Sequence, residues 1–154
     1  MKEAKWKESL SNLFEDLRIL EECRVETPEN FDHFCEFIAE PSFESLSKEL
    51  RKYGIKSKFH KKKTKSITLM VRFPKSKIDN FHYIIALPKN SVELKLKLRV
   101  RGRRDKKSPL KEKEEPFMEF VSPSEVLKLS KEELIMDVIR HYREFNYNAL
   151  RKPE

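Results

Sequence analysis

An α+β fold, a two-layer sandwich with helices packed on one face of an antiparallel sheet, is predicted by three features of the sequence. Apolar residues recur at helical spacing through the first fifty positions, at every second position from Ile55 to Arg101, and at helical spacing again after residue 122. Consecutive strands joined by short turns imply a meander of four or five strands, and amphipathic helices need its apolar face as a partner. A chain of 154 residues is one domain in size. The expected unit is 1–150: helical 4–53, sheet 55–101, a charged loop 102–115 and C-terminal helices 122–147.

Each element has its own signal. Trp6, Leu10, Leu13, Phe14, Leu17 and Leu20 form one stripe, which predicts a helix over Lys5 to Cys23. Thr27-Pro28 reads as a restart, Thr being a good N-cap and Pro suiting a first turn. Phe31, Phe34, Cys35 and Ile38 supply the apolar face of this second helix, and Pro41 is expected to interrupt it. A third helix runs from Ser42 to Tyr53, with Gly54 as the left-handed residue that ends it.

The period then switches to two. Ile55, Ser57 and Phe59 alternate with lysines and His60, and Ile67, Leu69, Val71 and Phe73 mark the next strand. Phe81 to Leu87 is apolar on both faces, as a central strand should be. Val92 to Arg101 alternates without error and predicts the longest strand. Pro116 to Val121 is the expected short edge strand. Ser122–Glu125 and Ser130–Glu133 both match the S-x-x-E capping box, the second opening a helix with Leu134, Ile135, Val138, Ile139, Tyr142 and Phe145 as its core stripe.

Composition excludes several classes. Two glycines rule out Gly-rich phosphate loops, and the longest apolar run, Tyr83 to Leu87, is far short of the roughly 20 residues a membrane span needs. The N-terminus carries Lys and Glu throughout and lacks a secretory h-region. Cys23 and Cys35 form no C-x-x-C pair, which excludes a zinc ribbon, and read as free thiols of a cytoplasmic protein without a membrane role or cofactor.

Charge is segregated. Residues 1–50 carry 6 basic and 13 acidic side chains, residues 51–107 carry 20 and 3, and residues 108–154 carry 8 and 10. The alternation places Lys56, Lys58, Arg72, Lys95, Lys97, Arg99 and Arg101 on the outer sheet face, with Arg103, Arg104, Lys106 and Lys107 continuing it into a flexible arm. Such a face suits nucleic-acid backbone, because Lys and Arg contacts to phosphate are independent of base sequence. The outer positions hold almost no aromatics, so a base-stacking single-strand platform is not expected. The alternatives are an acidic protein partner, self-assembly of acidic helices on basic sheets, and a solvated face whose lysines guard against aggregation.

The histidines offer little chemistry. His33 and Glu36 are three apart on a helix without a second pair to complete a metal site, His141 lies one turn from Asp137 and next to Glu144 and reads as part of a surface ion pair, and His60 and His82 stand singly on strands. Glu93-Leu94-Lys95, with Asp79 fourteen residues earlier, resembles the motif of the restriction-endonuclease-like nuclease core, an Asp followed by Asp/Glu-x-Lys. The resemblance implies Mg²⁺ ligation by Asp79 and Glu93, with Lys95 assisting the attacking water. It covers about 17 residues. A simple hairpin would set Asp79 about 23 Å from Glu93, whereas one Mg²⁺ needs both ligands within about 2.1 Å. The leading expectation is therefore a non-enzymatic domain that binds nucleic acid.

Overall fold

A computed structural model describes residues 2–151. Its elements are α1 (Lys2–Phe34), a π-helical turn (Cys35–Ala39), α2 (Glu40–Arg51), β1 (Ser57–Lys62), β2 (Ser66–Val71), β3 (Phe81–Ala86), β4 (Lys97–Gly102), β5 (Lys111–Pro116), a 3₁₀ turn (Pro123–Lys128) and α3 (Lys131–Arg151). The five strands form one open antiparallel sheet in the order β1-β2-β3-β4-β5. This is the predicted α+β class, with a five-stranded meander.

Alternation along each strand sorts side chains into two faces. The register Phe59↔Leu69↔Tyr83↔Val100 defines the inner face. Phe43 from α2 packs edge-on against Tyr83, with ring centres 6.2 Å apart, and Phe81 meets Tyr142 of α3 at 5.4 Å. These rings, with Phe31, Phe34, Ile67, Ile85 and Leu134, lie in a single core. Lys58, Met70, His82, Arg101 and Glu112 form a row across the outer face. The register puts no Phe, Tyr or Trp on that face, as the sequence predicted.

The helices join differently from expectation. No break occurs at Thr27-Pro28, and Pro28 lies inside α1. Proline lacks the N–H that would reach the Arg24 carbonyl, while the Thr27 hydroxyl donates to the Cys23 carbonyl at 2.7 Å. Phe31 and Phe34, both fully buried just beyond, anchor the helix across the weak point. Packing overrides propensity here. Pro41 does not end the helix either. The preceding turn widens, with Glu40 N–H donating to the Cys35 carbonyl five residues back. A π-turn accommodates the ring that would strike a carbonyl in a regular helix. Gly54 ends α2 as predicted, at φ 74°, and Ile55 N–H returns to the Leu50 carbonyl at 3.0 Å.

The strands also depart in two places. The ladder begins at Lys97, opposite Ala86, and not at Val92. β3 runs out at Leu87-Pro88, where proline cannot donate to a ladder, although Leu94 and Leu96 still point into the core. The fifth strand is Lys111–Pro116, inside the segment expected to be a charged loop, while residues 117–121 form a turn. Sequence K-E-K-E-E-P carries no apolar alternation. Its signal is electrostatic, because Glu114 faces Arg99 and Glu112 faces Arg101 across the ladder.

The capping box at Ser130 is formed, with Glu133 N–H donating to Ser130 Oγ at 3.0 Å and Ser130 N–H to the Glu133 carboxylate at 3.3 Å. The Ser122 motif starts only the 3₁₀ turn, without a side-chain cap. Gly102 has no room for a side chain, since a Cβ there would lie 2.3 Å from the Phe145 ring.

Candidate nucleic-acid interface

The register divides the predicted basic residues into three groups. On the outer face, Arg99 pairs with Glu112 at 3.2 Å and Glu114 at 3.7 Å, Arg101 with Glu112 at 3.4 Å, and Lys97 with Glu114 at 3.4 Å. β5 thus matches the charge of β4, and this half of the face is not the uniform cationic surface expected from sequence. Lys95 stands with Glu93 in the segment beyond the Lys97 end of the sheet, beside a groove that also includes Lys89 and Glu114.

The remaining residues gather elsewhere. In an antiparallel meander every second connection falls at the same end. Ser57, Val71, Phe81, Gly102 and Lys111 are register neighbours. Connections 52–56, 72–80 and 103–110 therefore meet beside them. Together these segments hold nine basic and two acidic residues. Lys56, Arg72, Arg103 and Arg104 lie in them, and Lys58 is one residue inside β1. Lys75 and Lys77 join the cluster unforeseen, although the meander topology alone would have sent them there.

Both carboxylates of this end have local partners. Asp79 lies 3.3 Å from Lys58 and 3.6 Å from Arg72. Asp105 Oδ1 accepts from Lys107 N–H at 2.9 Å, Ser108 N–H at 2.9 Å and Ser108 Oγ at 3.1 Å. Those donors, the Lys107 N–H first, hold its carboxyl below the ordinary carboxylate range. Asp105 thereby shapes the 103–110 loop.

Asn80 ties two of the three connections together. Its Oδ1 accepts from Phe73 N–H at 2.7 Å, and its Nδ2 donates to the Arg103 carbonyl at 3.0 Å and the Arg104 carbonyl at 2.8 Å. Arg103 N–H donates to the Asn80 carbonyl at 3.0 Å. The amide is 1 % exposed, so water cannot substitute for these bonds. Beside the clamp a cleft is lined by Arg103, Arg104, Asp105, Ser108 and Lys111, with Phe73 and Phe145 as its apolar wall, and the Asp105 carboxylate is already engaged by Lys107 and Ser108. Guanidinium, ammonium and hydroxyl donors around one recess suit an anion such as a phosphate.

The structure does not bring Asp79 and Glu93 together. Asp79 precedes β3 at its Phe81 end, while Glu93 lies four residues before Lys97, which pairs with Ala86 at the other end. A six-residue strand separates them, on the order of 20 Å.

One polar cluster is buried between sheet and helix. Tyr83 Oη donates to Asp137 Oδ2 at 2.5 Å, and the Arg140 guanidinium donates to Asp137 Oδ1 at 3.0 Å. His141, fully buried, sets Nε2 3.2 Å from Glu115 and leaves Nδ1 without a partner. Burial lowers the His141 pKa despite Asp137 and Glu115, and raises that of Tyr83 well above its ordinary value. His82, on the outer face, is lowered in the same way.

These histidines predict a pH dependence. A base whose pKa falls on folding binds protons more readily unfolded, so its contribution is present above the unfolded value and is lost as pH drops below it. Stability is therefore expected to hold above the ordinary histidine value of 6.5 and to decline below it. Urea midpoints at mildly alkaline and mildly acidic pH check this, with carboxylate titration kept out of range. An unchanged midpoint would show that neither histidine resists protonation.

No protein-family model matches the chain, nor does any curated protein or any solved structure. No helix among the described residues is long and apolar enough to cross a membrane.

Proposed function

We propose that this protein is a small, non-catalytic domain that binds the backbone of double-stranded nucleic acid through the basic end of its sheet. The observation that carries this reading is the convergence of three connections with nine basic and two acidic residues, two of them fixed by the Asn80 clamp. Arg103, Arg104, Lys106 and Lys107 form its centre, flanked by Lys56, Lys58 and Arg72. Lys97, Arg99 and Arg101 serve mainly in the ladder to β5. The outer face carries no Phe, Tyr or Trp, and Tyr53 is the one exposed residue of these types in connections 52–56, 72–80 and 103–110, which supports phosphate contact over base stacking. A cytoplasmic setting fits both nucleic acid and the free thiols of Cys23 and Cys35.

Fluorescence anisotropy with labelled duplex DNA, duplex RNA and single strands tests the proposal. Duplex binding should weaken steeply with salt, at about −0.9 in log–log slope for each phosphate contact. Replacing Arg103, Arg104 and Lys106 by Glu should weaken binding by about a hundredfold or more and flatten the slope by about 3. The same reversal at Lys97, Arg99 and Arg101 should weaken it much less. Equal losses from both variants would place binding on the face. No binding at low salt would reject the reading and leave an acidic protein as the ligand to seek.

A further inference from the structure

We infer that α1 is a dimerisation arm that pairs antiparallel with the same helix of a second copy. The inference goes beyond the nucleic-acid reading and does not depend on it.

Along α1 the residues Trp6, Leu10, Leu13, Leu17 and Leu20 are spaced 4, 3, 4, 3. This is the alternating a/d seam of a coiled coil. The same phase continues through Arg24 to Thr27, Phe31 and Phe34, which the domain's own core buries. One seam therefore runs the length of the helix, and only its C-terminal part is covered. Glu8, Glu15, Glu22 and Glu29 recur every seven residues on the side farthest from it. Arg18 bridges Glu15 and Glu22 on this outer side, at 2.5 and 2.6 Å. A charged outer ladder opposite an apolar seam is the pattern of a helix with one partner.

The uncovered area is sufficient for that partner. Trp6, Leu10, Leu13, Phe14, Leu17 and Leu20 are between 45 and 62 % exposed, leaving on the order of 600 Å² of contiguous apolar surface, at or above the largest patch of a typical monomer. Two copies facing each other would bury on the order of 1,200 Å², within the range of specific interfaces.

Charge selects the occupant and its direction. A parallel in-register pair sets Asp16 beside Glu21 of the second copy on both flanks. An antiparallel pair that matches Leu10 with Leu20 and Leu13 with Leu17 brings Lys7 beside Glu21 twice, against a single Asp16–Asp16 approach at the two-fold axis. A membrane surface is disfavoured, because the polar side of α1 is acidic where interfacial helices are rich in Lys and Arg.

Sedimentation velocity and light scattering on the full chain decide the matter. The wild type should be a dimer at micromolar concentration and remain so at high salt. Leu13→Glu with Leu17→Glu should weaken dimerisation by a hundredfold or more while the domain's melting transition persists, since neither side chain belongs to the core. Spin labels at Glu8→Cys, in a Cys23→Ser background, should sit about 21 Å apart along the axis in the antiparallel pair and level in a parallel one. A monomeric wild type would overturn the inference, as would a dimer indifferent to the double substitution. Level labels would overturn the antiparallel direction. Wild-type monomer that partitions onto phosphatidylcholine vesicles would assign the seam to lipid instead.

Discussion

Replacing Asp137 by alanine is expected to destabilise the domain by about 3–5 kcal/mol, a large share of the ~5–15 kcal/mol that holds such a fold together. Asp137 is buried on α3 and takes the Tyr83 hydroxyl at 2.5 Å on one oxygen and the Arg140 guanidinium at 3.0 Å on the other. Alanine removes a charge-assisted hydrogen bond and leaves a hydroxyl with no access to water in the middle of β3. The melting temperature should fall on the order of 10 °C. Tyr83→Phe removes the stranded hydroxyl, so Asp137→Ala should cost distinctly less in that background than alone. Equal costs in the two backgrounds would show that the Tyr83–Asp137 bond contributes nothing, and that the loss comes from Arg140 and His141 alone.

That cluster also shows where sequence reading stops. Tyr83 follows the apolar period of β3 and reads as a core residue, whereas His141 reads as a surface ion-pair partner of Asp137 and is instead fully buried. That they would meet at Asp137 depends on which strand α3 crosses, and no local spacing encodes a crossing. The same limit separates the well-read elements from the misread ones. Ile67, Leu69 and Val71 are legible because burial on one face imposes period two. Gly54 and the Ser130–Glu133 box are legible because each satisfies backbone groups within a few residues. β5 has no apolar period to read, and its partner β4 ends nine residues before it begins. Pro28 and Pro41 carry strong local signals for a break, but burial of Phe31 and Phe34 in the core overrides the first and a π-turn absorbs the second. The seam of α1 was legible as a helix, yet the same spacing fits packing on the sheet and pairing with a copy. Only the exposure of Leu13 and Leu17 separates the two. The basic residues read as one face, because strand alternation is visible in the sequence and the pairing of Glu112 and Glu114 with β4 is not.

Asn80→Ala should couple stability to binding in a way that tests the basic end as a built site. The substitution strands Phe73 N–H and removes the donor to the Arg103 and Arg104 carbonyls, three hydrogen bonds at 2.7, 3.0 and 2.8 Å. At about 1 kcal/mol for each bond, with an added cost for buried groups left unpaired, the loss is at least about 3 kcal/mol. Asn80→Asp should recover little of it. Its second oxygen would face two carbonyl oxygens where the amide nitrogen now donates. The folded variants should also bind duplex about tenfold more weakly at low salt, because the 72–80 and 103–110 segments must then be ordered on binding. Salt slope distinguishes the causes. Lost preorganisation lowers affinity with the slope unchanged, since the same lysines and arginines still reach phosphate, whereas lost contacts reduce the slope itself. Unaltered affinity in a folded Asn80→Ala protein would mean that the nine basic residues act as independent charges, and that the clamp serves only the fold.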